Sequence, residues 1–217
     1  IWSSIVALSK LAANSFDLTD NYAFTGTTTG ATSTQKLFLI KNIDASSSSS
    51  VSFVDGSSSV VLDNTYKTYL FRFVNMHPSD NGPNITFQGS TDTGSSYGVN
   101  ITSTNVTVRH FEDDSSTTFS YETGGDLAQS TSEQPFTCGP ENQNDSGVGA
   151  ELYLFNPSST TFVKNFFGQS TGIGANAHTQ QQYFAGYFNT TSAIDAIRFK
   201  INAGTIDSGR FALYGIK

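Results

Sequence analysis

The sequence predicts an all-β protein: a β-sandwich of jelly-roll type with an extended N-terminal arm. Three observations carry this. Apolar residues recur at period two in roughly ten to twelve short runs, spaced at about 8–12 residues, and no long stretch carries the 3.6-residue period of an amphipathic helix. The gaps are filled by Ser, Thr, Asn and Gly, which favour turns and solvent-facing strand positions and are poor helix formers. Aromatic residues make up 13% of the chain, with 18 Phe and 9 Tyr, enough for a core built largely of rings.

Taken in order, residues 1–35 differ from the rest. Ile5, Val6, Leu8, Leu11 and Ala12 suit one or two helical turns, Phe16 to Phe24 alternates apolar with polar, and Thr25 to Thr34 is almost wholly small and polar. This pattern fits an arm and linker that docks on a neighbouring subunit, or a first edge strand of the same domain. The sandwich domain is expected over residues 36–217. Its centre is Thr65 to Met76, with Tyr69, Phe71 and Phe73 on one side and Leu70, Val74 and Met76 on the other, Arg72 among them, which places it mid-sheet with cover on both faces, inside a sandwich or at a subunit contact. Before it come short strands at Leu37 to Ile40, Val51 to Val54 and Val60 to Leu62, with a serine turn at Ser46 to Ser50. After the turn Pro78 to Pro83, strands are expected at Asn84 to Phe87, Gly98 to Thr102, Asn105 to Phe111 and Thr117 to Tyr121. Gly124 to Gly149 reads as mostly loop, and a loop that long suggests a surface contact. Strands resume at Ala150 to Phe155, Thr161 to Phe167 and Tyr183 to Phe188, with a glycine-rich loop at Gly168 to Thr179. Asp195 to Ile201 and Arg210 to Ile216 read as a terminal hairpin.

Charge narrows the function. Charged residues are only 13% of the chain and the formal net charge is −7, with scattered basic residues, so a phosphate backbone is repelled and nucleic acid is not an expected partner. No window approaches the roughly 20 apolar residues of a membrane span, and no membrane insertion is expected. The opening run lacks a basic leader and has a short apolar core, so it is not expected to be an intact signal peptide. The single cysteine, Cys138, leaves no disulfide within the chain.

No chemistry-bearing pattern stands out. The histidines His77, His110 and His178 have no metal-motif spacing, and turn or surface roles are expected for them. No nucleophile elbow, Walker loop or dinucleotide fingerprint is present. Glu112-Asp113-Asp114 is the obvious acidic cluster, but adjacent strand residues point oppositely, so only Glu112 and Asp114 share a side. That cluster, and the hard oxygen donors Asp80, Asn81, Asn142, Asn144 and Asp145, suit solvated turns or a weak Ca²⁺ site without EF-hand spacing. Five Asn-x-Ser/Thr triplets, at Asn84, Asn100, Asn105, Asn144 and Asn189, are what an Asn- and Thr-rich composition produces by chance. Trp2, Tyr97, Tyr183 and Tyr187 are candidates to stack on a sugar ring, with Tyr97, beside Gly94-Ser95-Ser96, the best placed. Strand aromatics otherwise serve the core or an interface. No cofactor, resident metal or catalytic residue is expected.

The runs FDLTDNYAFTGT (16–27), YLFRFVNMHPS (69–79), LFNPSSTTFVK (154–164), AGYFNTTSAIDAIRF (185–199) and IDSGRFALYGI (206–216) carry a resemblance. The chain resembles the β-rich virion proteins of marine tailed bacteriophages, cyanophage-like ones above all. The resemblance spans nearly the whole chain and rests on phrases rather than a catalytic signature. It implies a non-enzymatic virion structural protein, a tail or fibre component or capsid decoration, whose partners are other virion proteins and a host-surface glycan, with a homotrimer as the first expectation. In such a protein the Asn-x-Ser/Thr triplets would be unmodified. An aromatic core, polar uncharged outer faces and the absence of convergent chemistry fit that role. A carbohydrate-binding module, and a polysaccharide depolymerase using Asp114, are the alternatives.

Overall fold

The structure, a computed structural model, describes residues 36–217; the expected N-terminal arm, with Trp2, lies outside the described residues. Among the described residues there are twelve strands: β1 (Leu37–Ser48), β2 (Ser50–Val54), β3 (Thr68–Pro78), β4 (Ile85–Ser90), β5 (Ile101–Phe111), β6 (Thr117–Tyr121), β7 (Gln134–Pro135), β8 (Val148–Phe155), β9 (Lys164–Gly174), β10 (His178–Phe188), β11 (Ala196–Ile201) and β12 (Ile206–Ile216). They form two antiparallel sheets packed as a sandwich. The large sheet has the order β1-β12-β3-β8-β9-β10-β5-β6, and the small one β2-β11-β4-β7. The pairs are nested along the chain: β1 with β12, β2 with β11, β3 with β8 and β4 with β7. The remaining strands, β5, β6, β9 and β10, widen the large sheet at one side.

Alternation explains the core. Tyr69, Phe71 and Phe73 of β3 point inward, as do Val148, Ala150, Leu152 and Leu154 of β8, and all are buried. Phe199 of β11 faces them from the small sheet, with its ring 4.9 Å from Phe73, 5.3 Å from Phe71, 5.9 Å from Phe211 and 6.0 Å from Phe136. Phe87 of β4 meets Phe166 of β9 edge-on at 5.1 Å, so the two sheets share one aromatic layer.

Where β5 and β10 run past the small sheet, their inner face is polar, and the segment after β6 covers it. Gln182 Nε2 donates to Asn105 Oδ1 at 2.7 Å, and Asn105 Nδ2 and Gln134 Nε2 both donate to the carbonyl of Gly125, at 3.1 and 2.8 Å. Ser170 Oγ donates to the Phe136 carbonyl at 2.6 Å. The expected loop Gly124 to Gly149 is thus pinned by buried amides and contains β7, and its Phe136 is fully buried in the core.

Several expectations are corrected. The serine turn at Ser46 to Ser50 falls largely within β1 and β2, which extend through it from both sides. Val60 and Leu62 are buried without joining a sheet. The two strands at Gly98 to Thr102 and Asn105 to Phe111 are the single strand β5. Gly168 to Thr179 is no loop: β9 continues to Gly174 and β10 begins at His178. The glycines there serve close packing, since a Cβ at Gly168 would lie 2.2 Å from the Glu151 carbonyl oxygen and 2.4 Å from the Phe184 ring. The last two strands form no hairpin; β11 and β12 lie in different sheets, because the Asn202 to Thr205 turn crosses from one to the other. β3 does sit mid-sheet, but its outer side is open at Arg72 and Val74.

Candidate functional site

The histidines do not converge on one site. His77 Nε2 lies 3.0 Å from the Gln143 carbonyl, His110 Nε2 lies 3.1 Å from Asp114 Oδ1, and His178 is buried in β10 with its ring 5.0 Å from Phe111. His178 therefore corrects the expected loop position. Glu112, Asp113 and Asp114 form the turn between β5 and β6, where Asp113 Oδ1 accepts the amide of Ser115 at 3.0 Å. Asn142 Nδ2 donates to the Ser79 carbonyl, and Asp80 Oδ1 accepts from Ser79 Oγ. Asn144 and Asp145 line a polar recess with His77 and Asp207. Among the described residues, no three His, Cys, Asp or Glu side chains lie close enough together to hold a metal ion. Cys138 Sγ accepts from Arg109 Nη2 at 2.6 Å, and burial pushes its thiol pKa up.

Tyr97 sits on a stapled loop. Asp92 accepts the hydroxyl of Ser90 at 2.7 Å, and the amide and hydroxyl of Ser96 at 2.9 and 2.5 Å. The Arg198 guanidinium lies 4.3 Å from the Tyr97 ring centroid and is itself fixed by Glu133. Tyr97 lines a polar groove with Thr91, Ser96, Asn100, Asn189 and Thr190. The hydroxyls of Ser96, then Ser90, pull the Asp92 carboxyl from 3.8 down to about 2. The unfolded chain therefore takes up a proton at a higher pH than the folded loop does. The staple is whole above about pH 4 and is lost as pH falls through 2. The Ser96 amide and Tyr97 ring NMR signals should titrate with a midpoint near 2; a midpoint at the ordinary carboxylate value would mean that the staple does not form.

The most exposed large apolar side chains gather on the outer face of the large sheet. Register places Leu39, Tyr214, Leu70, Tyr153 and Phe167 in one row across β1, β12, β3, β8 and β9. A second row runs from Arg72 through Glu151, Gln169, Tyr183 and Val106 to Tyr121, and Phe119 stands beside Val108 at the β6 edge. Phe119 is 78% exposed, Leu39 52%, Val74 49% and Phe167 47%; among the described residues seven large apolar side chains are exposed, and of these only Phe162 lies off this face. Tyr153 stacks on Phe167 with centroids 4.9 Å apart. Beside them, Phe155, Phe167 and Tyr187 line a groove of about 450 Å³ over Ala185, with Thr102, Thr104 and Asn165 at its rim. The sequence predicts polar outer faces except at the central strand, where it predicts cover on both sides, so the exposed rings on β6, β9 and β10 depart from it. Its aromatics alternate with inward aromatics on the same strands, so residue type alone does not say which side is covered.

The charges on this face cancel. Arg72 pairs with Glu151 at 3.1 Å, and Arg210 bridges both oxygens of Asp44 at 2.8 and 3.0 Å. These two pairs cancel across β1, β12, β3 and β8 on a chain of net charge −7, while at the β6 edge Asp126 accepts the Tyr121 hydroxyl at 2.7 Å. A solvated outer face of an antiparallel sheet is ordinarily polar, and a contiguous apolar patch beyond a few hundred Å² marks an interaction surface.

No family model matches the chain, and neither a curated protein nor a solved structure matches it. The fold and face define its class: an all-β sandwich protein with exposed aromatic side chains on the open face of its wider sheet.

Proposed function

We propose that the chain is a non-enzymatic structural protein of a bacteriophage virion, a tail or fibre component or capsid decoration, that works by binding neighbouring virion proteins and the host surface. The observation that carries this reading is the outer face of the large sheet, which offers exposed rings and cancelled charges and so suits adhesion rather than chemistry. The nested strand pairing adds support, because nested pairs suit a jelly roll, an architecture used by viral capsid and lectin domains. Fold alone does not fix function, so the resemblance to marine phage virion proteins supplies the assignment to a particle. The test is peptide mass spectrometry of purified particles, followed by low-resolution density of the intact virion. The expected result is a fixed copy number per particle, at positions following capsid or tail symmetry. A chain made during infection but absent from purified particles overturns the proposal.

The second reading, a carbohydrate-binding module, is favoured by Tyr97, whose ring is braced by Arg198 in a groove lined by neutral amides and hydroxyls. An array of defined neutral and acidic glycans separates the two. Binding lost on Tyr97→Ala, by a chain that particles lack, supports the second.

A further inference from the structure

We propose that the outer face of the large sheet packs against the same face of a second copy of this chain about a two-fold axis, each copy's Phe119 entering the other's groove beside Phe155, Phe167 and Tyr187. The inference rests on the reading of this face as the contact surface and names its occupant.

Three features select a second copy. The first is self-complementarity. Phe119, the most exposed large apolar residue at 78%, and the aromatic groove lie on one and the same face. A two-fold axis lying in the interface midway between Phe119 and the groove exchanges them, so one operation seats both knobs in both recesses, as an isologous contact requires. The second is charge. A partner of opposite sign would be recognised through unpaired acids, which steer association. Here the sheet acids Asp44 and Glu151 are already matched by Arg210 and Arg72, and Asp126 is engaged by the Tyr121 hydroxyl, so two copies of net charge −7 meet over paired acids in the middle of the face. The third is area. Eight strands of 5 to 12 residues, at about 4.8 Å spacing and rising about 3.3 Å per residue, give a face of roughly 1,300 Å², so an overlap of about two-thirds reaches the ~800 Å² per partner of a standard stable interface.

The test is the mass of the full-length chain by light scattering and sedimentation. The expected mass is two chains. Phe119→Asp at the knob and Ala185→Trp in the groove should each weaken association by about 30-fold or more, since buried aromatic anchors dominate such contacts. Phe162→Asp, an exposed aromatic off the face, should leave it unchanged. Phe119 and Ala185 are exposed, so an unchanged melting temperature after dilution to the single-chain state confirms that these variants fold. In a Cys138→Ser background, Phe119→Cys combined with Thr104→Cys should be joined into two-chain species by oxidised glutathione, and Phe119→Cys alone should not. A one-chain mass, a three-chain mass as the resemblance implies, or equal weakening by Phe162→Asp overturns the inference. A one-chain mass for a protein nonetheless found in particles sinks the pairing and leaves the proposed function standing. A two-chain mass for a protein that particles lack does the reverse.

Discussion

Phe199→Ala should be the most damaging truncation in the core, lowering stability by about 3–5 kcal/mol and the melting temperature by roughly 10 °C or more. Phe199 is fully buried, and its ring meets six others, from Phe53, Phe71, Phe73, Phe87, Phe136 and Phe211. Those rings come from both sheets and from the covering segment, so no single element can move to close the void. Phe199→Leu should recover most of the loss, because it keeps the volume and forfeits only the edge-to-face contacts. Thermal melting followed by near-ultraviolet circular dichroism reads both. If Phe199→Ala melts within about 3 °C of the parent, the two sheets do not meet at this ring.

Gly168→Ala should be comparably severe for the opposite reason. It adds one methyl group mid-strand in β9, where that carbon would lie 2.2 Å from the Glu151 carbonyl oxygen of β8 and 2.4 Å from the Phe184 ring. A side chain can swing away, but a backbone oxygen in the middle of a ladder cannot, so strand spacing must open; overpacking of this kind costs about 3 kcal/mol. Phe184→Leu on top of it should give no rescue, since it relieves the ring and leaves the oxygen. Gly98→Ala is the matched control, with nothing within 4 Å of the added carbon, and should be neutral within about 0.5 kcal/mol. Rescue by Phe184→Leu would show that the ring rather than the carbonyl sets the cost.

How much of this was legible differs element by element. The alternation in Tyr69-Leu70-Phe71-Arg72-Phe73-Val74 gives β3 its strand character and its central place, because period two is a property of the chain itself. The run Thr117 to Tyr121 is likewise found where the alternation puts it. Gly168 to Gly174 misleads, because glycine in sequence signals a turn, and only the neighbouring carbonyl and ring show that it is there for lack of room. Gln134, Asn105 and Gln182 carry no sequence mark of burial, yet they are buried, because they find one another and the Gly125 carbonyl across distant segments.

Of the candidate site, the sequence offered Tyr97, Tyr183 and Tyr187 as side chains able to stack, and the structure sorts them. Tyr97 lies on a stapled loop braced by Arg198, whereas Tyr183 and Tyr187 lie on the outer sheet face. That Phe119 and Phe167 share this face was beyond sequence reasoning, since they are 48 positions apart and on strands separated by β5 and β10.

The sequence by itself determined the class: period-two alternation, ring content and turn-forming gaps leave a chain of 217 residues with strands and no basis for long helices. Only the tertiary structure decided which of two apolar strand faces is covered. Alternation marks two sides without naming either as inside, and the four-stranded sheet can lie against only one side of the eight-stranded sheet. The side it leaves open carries the rings of Phe119, Phe167 and Tyr183.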